Sequence, residues 1–289
     1  MPADRGTHRR CAAGRVAARL ALTAILTACA ASASAQAPSA PSASSEYRPE
    51  PGQPGKDVVW VPMPEERIEK LLDLARVGPK DYVIDLGSGD GRVVIAAARR
   101  GAQALGVEFN PDLVALSRRD AQKAGVADRA AFVQGDMFEA DLSHATVVTL
   151  FLFENLNIRL RPKLLQLRPG TRIAANTFRM GDWEPDASQT GGGCFSFCDL
   201  YLWIVPARVA GVWRTPQGEL RLRQQYQMLD GTLGAAPLAL GISEGRVTGS
   251  SIRFSAGDTE YRGRLIGDGI EGTATDSGTR PWRATRASP

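Results

Sequence analysis

The chain has 289 residues, of which 43% are hydrophobic and 23% charged, and its formal net charge is +4. This length and composition predict globular domains with hydrophobic cores and exclude fibrous and disordered classes. The net positive charge comes from the start of the chain, because the first 35 residues hold five arginines and one aspartate and the remainder is near neutral. A basic nucleic-acid-binding surface is therefore not indicated.

Residues 1–35 have the organisation of a secretion signal. Four arginines between positions 9 and 19 precede an apolar stretch at 20–26 and then small residues. That stretch is well short of the roughly 20 residues that a membrane span needs. Two processing routes remain open, one after Ala35 in an A-x-A site and one at a lipobox ending in Cys29, which would be lipidated. We expect a periplasmic or secreted protein without a membrane span, or a lipoprotein anchored at Cys29; a cytoplasmic protein with a disordered tail is the alternative.

Three segments follow the signal. Residues 36–56 are rich in Ala, Pro, Ser and Gly, which is typical of a flexible linker. A first domain is expected at 57–209, and a small β domain at 210–289.

The first domain alternates short apolar runs with amphipathic ones. Strands are predicted at 82–86, 104–107, 131–134, 146–152 and 171–176, with helices at 64–77, from 91, from 112 and up to 167. This alternation predicts an α/β fold with a Rossmann-like parallel sheet covered on both faces. A further strand at 197–205 has no helix before it, so we expect an antiparallel hairpin to finish the sheet.

After residue 210 the helical periodicity disappears. Short glycine-punctuated runs at 220–228, 241–243, 246–247, 251–254, 261–266 and 270–274 predict an antiparallel meander or barrel. Its aromatic residues are expected to fill the core rather than to line a ligand groove. These are Trp213, Tyr226, Phe254, Tyr261 and Trp282.

The strongest chemical signal is the loop after the first predicted strand. Asp85 ends that strand, and Gly87, Gly89 and Gly91 follow at G-x-G-x-G spacing with Asp90 among them. Glycines allow a tight turn and close approach of the backbone to a ligand. A dinucleotide site favours G-x-G-x-x-G and no carboxylate beside its pyrophosphate. The acids suit a ligand with an ammonium and a sulfonium, so the pattern favours S-adenosyl-L-methionine over NAD.

Two further strands also end in acids. Glu108 lies about 20 residues after the glycine loop begins, where it can accept hydrogen bonds from ribose hydroxyls. Asp136 ends the third strand beside the apolar Met137, a pair suited to an adenine amino group and ring. The ordered set of three acids indicates a cofactor site more strongly than any one of them.

These residues resemble the successive motifs of class I S-adenosylmethionine-dependent methyltransferases. The segments 85–92, 108, 135–136, 62–64 and 160–164 are similar to a bacterial group related to the mitochondrial protein-lysine methyltransferases. The resemblance covers about residues 58–205. It implies methyl transfer from S-adenosyl-L-methionine to a protein lysine, with no nucleic-acid partner.

The segment after the fourth strand is expected to border the reactive methyl group. It lacks the Asn/Asp-Pro-Pro-aromatic signature of amino-directed nucleic-acid methyltransferases. Glu154 and Asn155 are candidate catalytic residues that orient the acceptor, and the alternative is that they only cap the following helix. A second alternative concerns the whole chain, which would then be an exported binding module that retains the pocket without catalysis.

The cysteines outside the signal are Cys194 and Cys198. An oxidising compartment would allow them to pair, and two free thiols are the alternative. A metal site is not expected, because His144 is the only histidine after the signal.

Overall fold

A computed structural model describes residues 47–191 and 198–287. The predicted signal, the first part of the linker and Cys194 lie outside these residues, and Cys198 is disulfide-bonded. The helices are α1 Glu65–Leu74, α2 Arg92–Arg99, α3 Pro111–Lys123 and α4 Glu154–Leu164. No helix in the described ranges has both the length and the apolar character to cross a membrane.

Seven strands form the first sheet, in the order β3-β2-β1-β4-β5-β7-β6. They are β1 Tyr82–Leu86, β2 Gln103–Glu108, β3 Ala130–Gln134, β4 Val147–Leu150, β5 Arg172–Asn176, β6 Ala187–Thr190 and β7 Asp199–Ile204. The first five are parallel, whereas β7 runs antiparallel to β5 and to β6. The predicted Rossmann-like sheet with an antiparallel terminal hairpin is thus confirmed.

The central strands explain why this sheet is buried on both faces. β1 reads YVIDL and β4 reads VVTL, without the polar alternation of a half-exposed strand. Side chains from α1, α2 and α3 pack in a core on one face of the sheet, and those of α4 pack in a second core on the other. The carboxyl ends of the parallel strands therefore meet at one edge of the sheet, between the two layers of helices.

Two helices end earlier than the sequence predicts. α1 stops at Leu74, because Arg76 adopts a left-handed φ of 52° and the amide of Val77 turns back to the carbonyl of Leu72. α4 stops at Leu164 rather than at 167, and the amide of Leu167 bonds to the carbonyl of Leu164 in a final turn.

The second domain is a closed barrel of eight antiparallel strands. Of the two predicted forms, a meander or a barrel, the barrel is the one observed. Its strands are β8 Gly211–Thr215, β9 Gly218–Gln225, β10 Met228–Gly234, β11 Leu240–Thr248, β12 Ser251–Ala256, β13 Thr259–Ile266, β14 Gly269–Thr275 and β15 Thr279–Arg286. Pairing of β15 with β8 closes it. Closure leaves no unpaired edge strand.

The strand predictions in the barrel needed correction. The run 220–228 is two strands, because the chain turns at Tyr226, whose φ is 53°. The runs 241–243 and 246–247 belong to one strand, β11, with a register shift between Ser243 and Arg246. β8 and β15 were not predicted.

Four of the five aromatic residues fill the barrel core as expected, namely Trp213, Phe254, Tyr261 and Trp282. The prediction was wrong for Tyr226. Its ring stacks on Trp183 of the first domain at 5.8 Å between centroids. The turn between β9 and β10 therefore packs against the first domain and not into the barrel.

Candidate functional site

The glycine loop between β1 and α2 requires glycine for two separate reasons. Gly87, Gly89 and Gly91 have φ values of 74°, 56° and 80°, in the left-handed region that disfavours other residues. A Cβ at Gly89 would lie 2.6 Å from the indole nitrogen of Trp60, and one at Gly91 would lie 2.6 Å from the ring of Phe132. The loop is therefore held by close contacts on both sides.

Asp85 is the residue before the last of β1, and it is buried. One of its carboxylate oxygens, Oδ1, accepts a hydrogen bond of 2.6 Å from the hydroxyl of Thr149 on the adjacent strand β4. Burial raises the pKa of Asp85 to about 7, with smaller contributions from the charges of Glu108 and Asp90, while the bond from Thr149 opposes the shift. This carboxyl group changes its charge near neutral pH.

Glu108 ends β2 and stabilises the loop as well as facing the cavity. Its Oε2 atom accepts a hydrogen bond of 2.9 Å from the amide of Gly89, and its Oε1 atom accepts one of 2.9 Å from the amide of Asn110. Each carboxylate oxygen retains a lone pair for a further donor, such as a ligand hydroxyl.

Asp136 follows β3 and contacts the segment before α1. Its Oδ1 atom accepts from the amide of Phe138 at 2.9 Å, and its Oδ2 atom pairs with the ammonium of Lys56 at 2.5 Å. The bond from Lys56, followed by that from Phe138, lowers the pKa of this carboxyl group. Lys56 also lies 5.0 Å from the ring centroid of Phe109.

A cavity at the carboxyl edge of the sheet unites these groups. Its lining includes six of the seven residues predicted to bind the cofactor, which are Asp85, Gly87, Gly89, Glu108, Asp136 and Met137. The seventh, Gly91, lies beneath the loop, where it allows close packing against Phe132 and Ser117.

The sequence did not single out one wall of the cavity. Residues 53–61 line it, including Lys56 and Trp60, although the sequence places residues 53–56 in the linker. Their Pro- and Gly-rich composition gave no signal of this contact. Phe151 and Leu152, which follow β4, form another part of the wall.

The two candidate catalytic residues are at the start of α4 and are not among the residues that line the cavity. Glu154 accepts a hydrogen bond of 3.2 Å from the amide of Gly181, and Asn155 is exposed. Neither side chain caps α4. The sequence-based alternative that they serve as helix caps is therefore wrong.

The lining fits a cationic nucleoside ligand. Asp85, Asp90, Glu108 and Asp136 give the cavity an excess of acidic groups, and Val107 and Met137 offer apolar surface. The side-chain hydroxyl of Ser88 in the loop is buried and has no partner. Carboxylates for an ammonium and for ribose hydroxyls, with apolar contacts for a base, match S-adenosyl-L-methionine and not a pyrophosphate.

Comparison with known proteins identifies relatives of the part of the chain that forms the first domain. The model of the ANTKMT methyltransferase domain matches residues 85–187. A protein-lysine N-methyltransferase of Saccharolobus islandicus is 44% identical over 131 residues, which are 44% of this chain and 81% of the relative. The adenine nucleotide translocase lysine N-methyltransferase of Mus musculus is 35% identical over 132 residues, 45% of this chain and 57% of the relative. The chain thus spans little more than half of that mouse relative.

A solved structure also resembles this chain. An RNA methyltransferase from Salinibacter ruber in complex with S-adenosyl-L-homocysteine is 48% identical, with a TM-score of 0.49, and covers 52% of this chain and 96% of that one.

The Saccharolobus match extends over most of its relative, and the matched domain at 85–187 contains Asp85, Glu108 and Asp136. The chain therefore belongs to the protein-lysine N-methyltransferase family, with a match to the ANTKMT methyltransferase domain at residues 85–187, and it is an S-adenosylmethionine-dependent methyltransferase.

Proposed function

We propose that this enzyme methylates the side-chain amine of a lysine in a protein. The observation that carries the proposal is the 44% identity with a protein-lysine N-methyltransferase over 81% of that relative. The acidic cavity supports it, because a cationic methyl donor is drawn to a site with several carboxylates.

Each cofactor-site residue has a role in this proposal. Asp85 accepts from the ammonium of the cofactor, Glu108 from its ribose hydroxyls, and Asp136 with Met137 contacts its adenine. Gly87 and Gly89 let the backbone approach, and Gly91 lets the loop pack on Phe132. Together these contacts fix the position of the ligand, which is the main contribution an enzyme makes to an in-line displacement.

The cofactor supplies a methyl group activated by a sulfonium. The lysine nitrogen forms a bond to the methyl carbon while the carbon–sulfur bond breaks, and the methylated nitrogen loses a proton to solvent. The amine must therefore arrive neutral and without competing water. Phe151 and Leu152 form an apolar part of the cavity wall, which helps to exclude water from the reacting amine. Glu154 and Asn155 remain our candidates for orienting the acceptor from the start of α4.

The location of the enzyme is part of the proposal. The arginines and apolar stretch within residues 1–35 support export, followed by cleavage after Ala35 or by lipidation at Cys29. Acceptors are expected among envelope proteins, and nucleic acids are not expected as substrates.

The test uses the full-length protein with isotope-labelled S-adenosyl-L-methionine. Proteins of the cell envelope and of the cytoplasm are supplied separately, and methyl-lysine is located by mass spectrometry. We expect labelled lysine in envelope proteins and its loss in Glu108→Ala, while Glu139→Gln, a change at an exposed glutamate, retains activity. Tight binding of S-adenosylhomocysteine without any methylated protein would favour the exported binding module. Label in nucleic acid would refute a lysine acceptor.

A further inference from the structure

Unpartnered buried polar atoms are concentrated at the carboxyl end of β5. Among the described residues, ten buried side-chain nitrogen or oxygen atoms have no hydrogen-bond partner. Seven of the ten belong to Arg67, Asn157, Asn176, Thr177 and Arg179. A buried polar group without a partner costs about 1–3 kcal/mol, so such a concentration calls for an explanation, and a role in binding or catalysis is one.

Asn176 is the most unusual member of this group. It is the last residue of β5, its side chain is fully buried, and neither its amide nitrogen nor its amide oxygen has a partner. A structural asparagine in a core normally satisfies at least part of its donor and acceptor capacity. No protein group therefore bonds the side-chain amide at the end of this strand.

The next residue is held in a strained conformation. Thr177 has a left-handed φ of 68°, which is costly for a β-branched residue. Its amide donates 2.6 Å to the carbonyl of Asp199, and the amide of Phe178 donates 2.8 Å to the carbonyl of Asn176. These two bonds fix the turn, so the strain is maintained by the surrounding backbone.

The turn lies beside the wall of the cofactor cavity. Leu150 at the end of β4 pairs with Ala175 of β5, so Phe151 and Asn176 follow as neighbours on adjacent parallel strands. Phe151 lines the cavity, and its ring is 6.4 Å from that of Phe178 between centroids. Phe153 is 5.2 Å from Phe178 in an edge-to-face arrangement. Three aromatic rings thus connect the cofactor cavity with the strained turn.

A buried guanidinium approaches the same turn from α1. Arg67 donates one hydrogen bond, from Nη2 to the carbonyl of Cys198, while its Nε and Nη1 atoms are buried without partners. Asn176 pairs with Leu200 of β7. Leu200 and Ala174 both pack in the core that contains α1. Because side chains alternate along a strand, Asn176 is on the α1 face of β5, as Ala174 is.

We propose that Asn176 and Thr177 form the subsite for the acceptor amine, with Phe151, Phe153 and Phe178 as the walls for its aliphatic stem. The Asn176 amide oxygen accepts a hydrogen bond from the lysine nitrogen and directs its lone pair towards the cofactor cavity. Arg67 disfavours a charged ammonium at this place, because two cations in a buried environment repel each other. The acceptor class is a slender primary amine on an unbranched apolar stem, as in lysine. The methylation of the bound amine rests on the proposed function, whereas the binding of the amine does not.

The test separates binding from catalysis. Saturation-transfer NMR is recorded for n-butylamine, which copies the end of a lysine side chain, with the full-length protein and saturating S-adenosylhomocysteine. We expect methylene signals in the wild type, their loss in Asn176→Leu, and their retention in Gln189→Ala, a change at an exposed position on β6. S-adenosylhomocysteine affinity should stay within about twofold, since Asn176 does not line the cavity.

Stability distinguishes a ligand-binding role from a structural one. Because the amide of Asn176 has no partner, Asn176→Leu should raise the unfolding temperature, whereas loss of a structural hydrogen bond would lower it. Thr177→Gly should likewise raise it by relieving the left-handed strain, and should weaken amine binding because it removes the unpartnered hydroxyl of Thr177. Lowered unfolding temperatures in both variants would overturn the proposal.

The two proposals fail differently. If the wild type methylates proteins but Asn176→Leu keeps both the butylamine signal and the KM for the acceptor, the subsite is refuted. If butylamine binding depends on Asn176 but no protein is methylated, the subsite stands and the lysine-methylation proposal fails.

Discussion

The hydroxyl of Thr149 donates a hydrogen bond of 2.6 Å to the buried carboxyl group of Asp85. The two residues are direct partners on the parallel strands β4 and β1. Burial raises the pKa of Asp85 to about 7, and the bond from Thr149 is the main interaction that opposes this shift. The charge of Asp85, which we propose binds the ammonium of the cofactor, therefore depends on the balance between burial and one neighbouring hydroxyl.

Cofactor affinity should depend on pH because of Asp85. The ionised carboxylate attracts the ligand ammonium, and with a pKa of about 7 most of these groups are protonated at pH 6 and ionised at pH 8. S-adenosylhomocysteine should bind about tenfold more weakly at pH 6 than at pH 8, as measured by calorimetry. Asp85→Asn should bind weakly and without this dependence. Equal affinity of the wild type at both pH values would contradict the role of Asp85.

Thr149→Val should move that dependence to higher pH. The substitution keeps the shape of the side chain but removes the donor that stabilises the ionised form of Asp85. The midpoint of the affinity profile should then lie above about 7. Thr146→Val is the matched control, because its hydroxyl bonds instead to Asp81 at the opposite end of the sheet. A shift in both variants would indicate a general effect of the lost hydroxyl.

The ligand-free protein should become less stable as the pH rises towards 7. The pKa of Asp85 is raised from 3.8 to about 7 on folding, so its contribution to stability is fully present below 3.8 and is lost as the pH rises through about 7. Asp85→Asn should therefore have a higher unfolding temperature than the wild type at pH 8. Scanning fluorimetry checks this, with Asp258→Asn at an exposed turn as the control. A lower unfolding temperature for Asp85→Asn at pH 8 would refute the assignment.

Gln227→Ala should destabilise the protein by about 1–3 kcal/mol, because it leaves a buried donor without a partner. Gln227 accepts from the indole of Trp183 at 2.9 Å and donates to the carbonyl of Glu184 at 2.6 Å. Urea unfolding followed by tryptophan fluorescence measures the change. Gln217→Ala, in the exposed turn between β8 and β9, should have no comparable effect. Equal stability of the two variants would mean that the bonds across the domain contact contribute little.

Much of the cofactor site could be predicted because it depends on local order along the chain. Asp85, Glu108 and Asp136 each lie within two residues of the carboxyl end of a parallel strand, and parallel strands bring such residues to one edge. Lys56 could not be predicted in the same way. It lies 80 residues before Asp136, in a segment whose composition resembles a linker, and only the tertiary fold brings the two side chains together.

Asn176 and Tyr226 escaped prediction for related reasons. A buried asparagine without hydrogen-bond partners has no sequence signature, because only the tertiary fold determines which partners are missing. Tyr226 was grouped with the barrel aromatics, but a left-handed turn between β9 and β10 places it against Trp183. For Tyr226 the deciding contact joins two residues that are distant along the chain.

The contact around Trp183 also bears on how the chain can be divided. Its ring is fully buried, its indole nitrogen bonds to Gln227, and its carbonyl accepts from the indole of Trp203 at 2.7 Å. Arg246 of β11 pairs with Asp186, whose other oxygen accepts from the amide of Ile204 in β7. A shortened chain ending near residue 209 would expose this tryptophan and leave the aspartate without its cation. The two architectures are thus separate in sequence and topology, yet buried hydrogen bonds and an ion pair join them, so we expect them to unfold together.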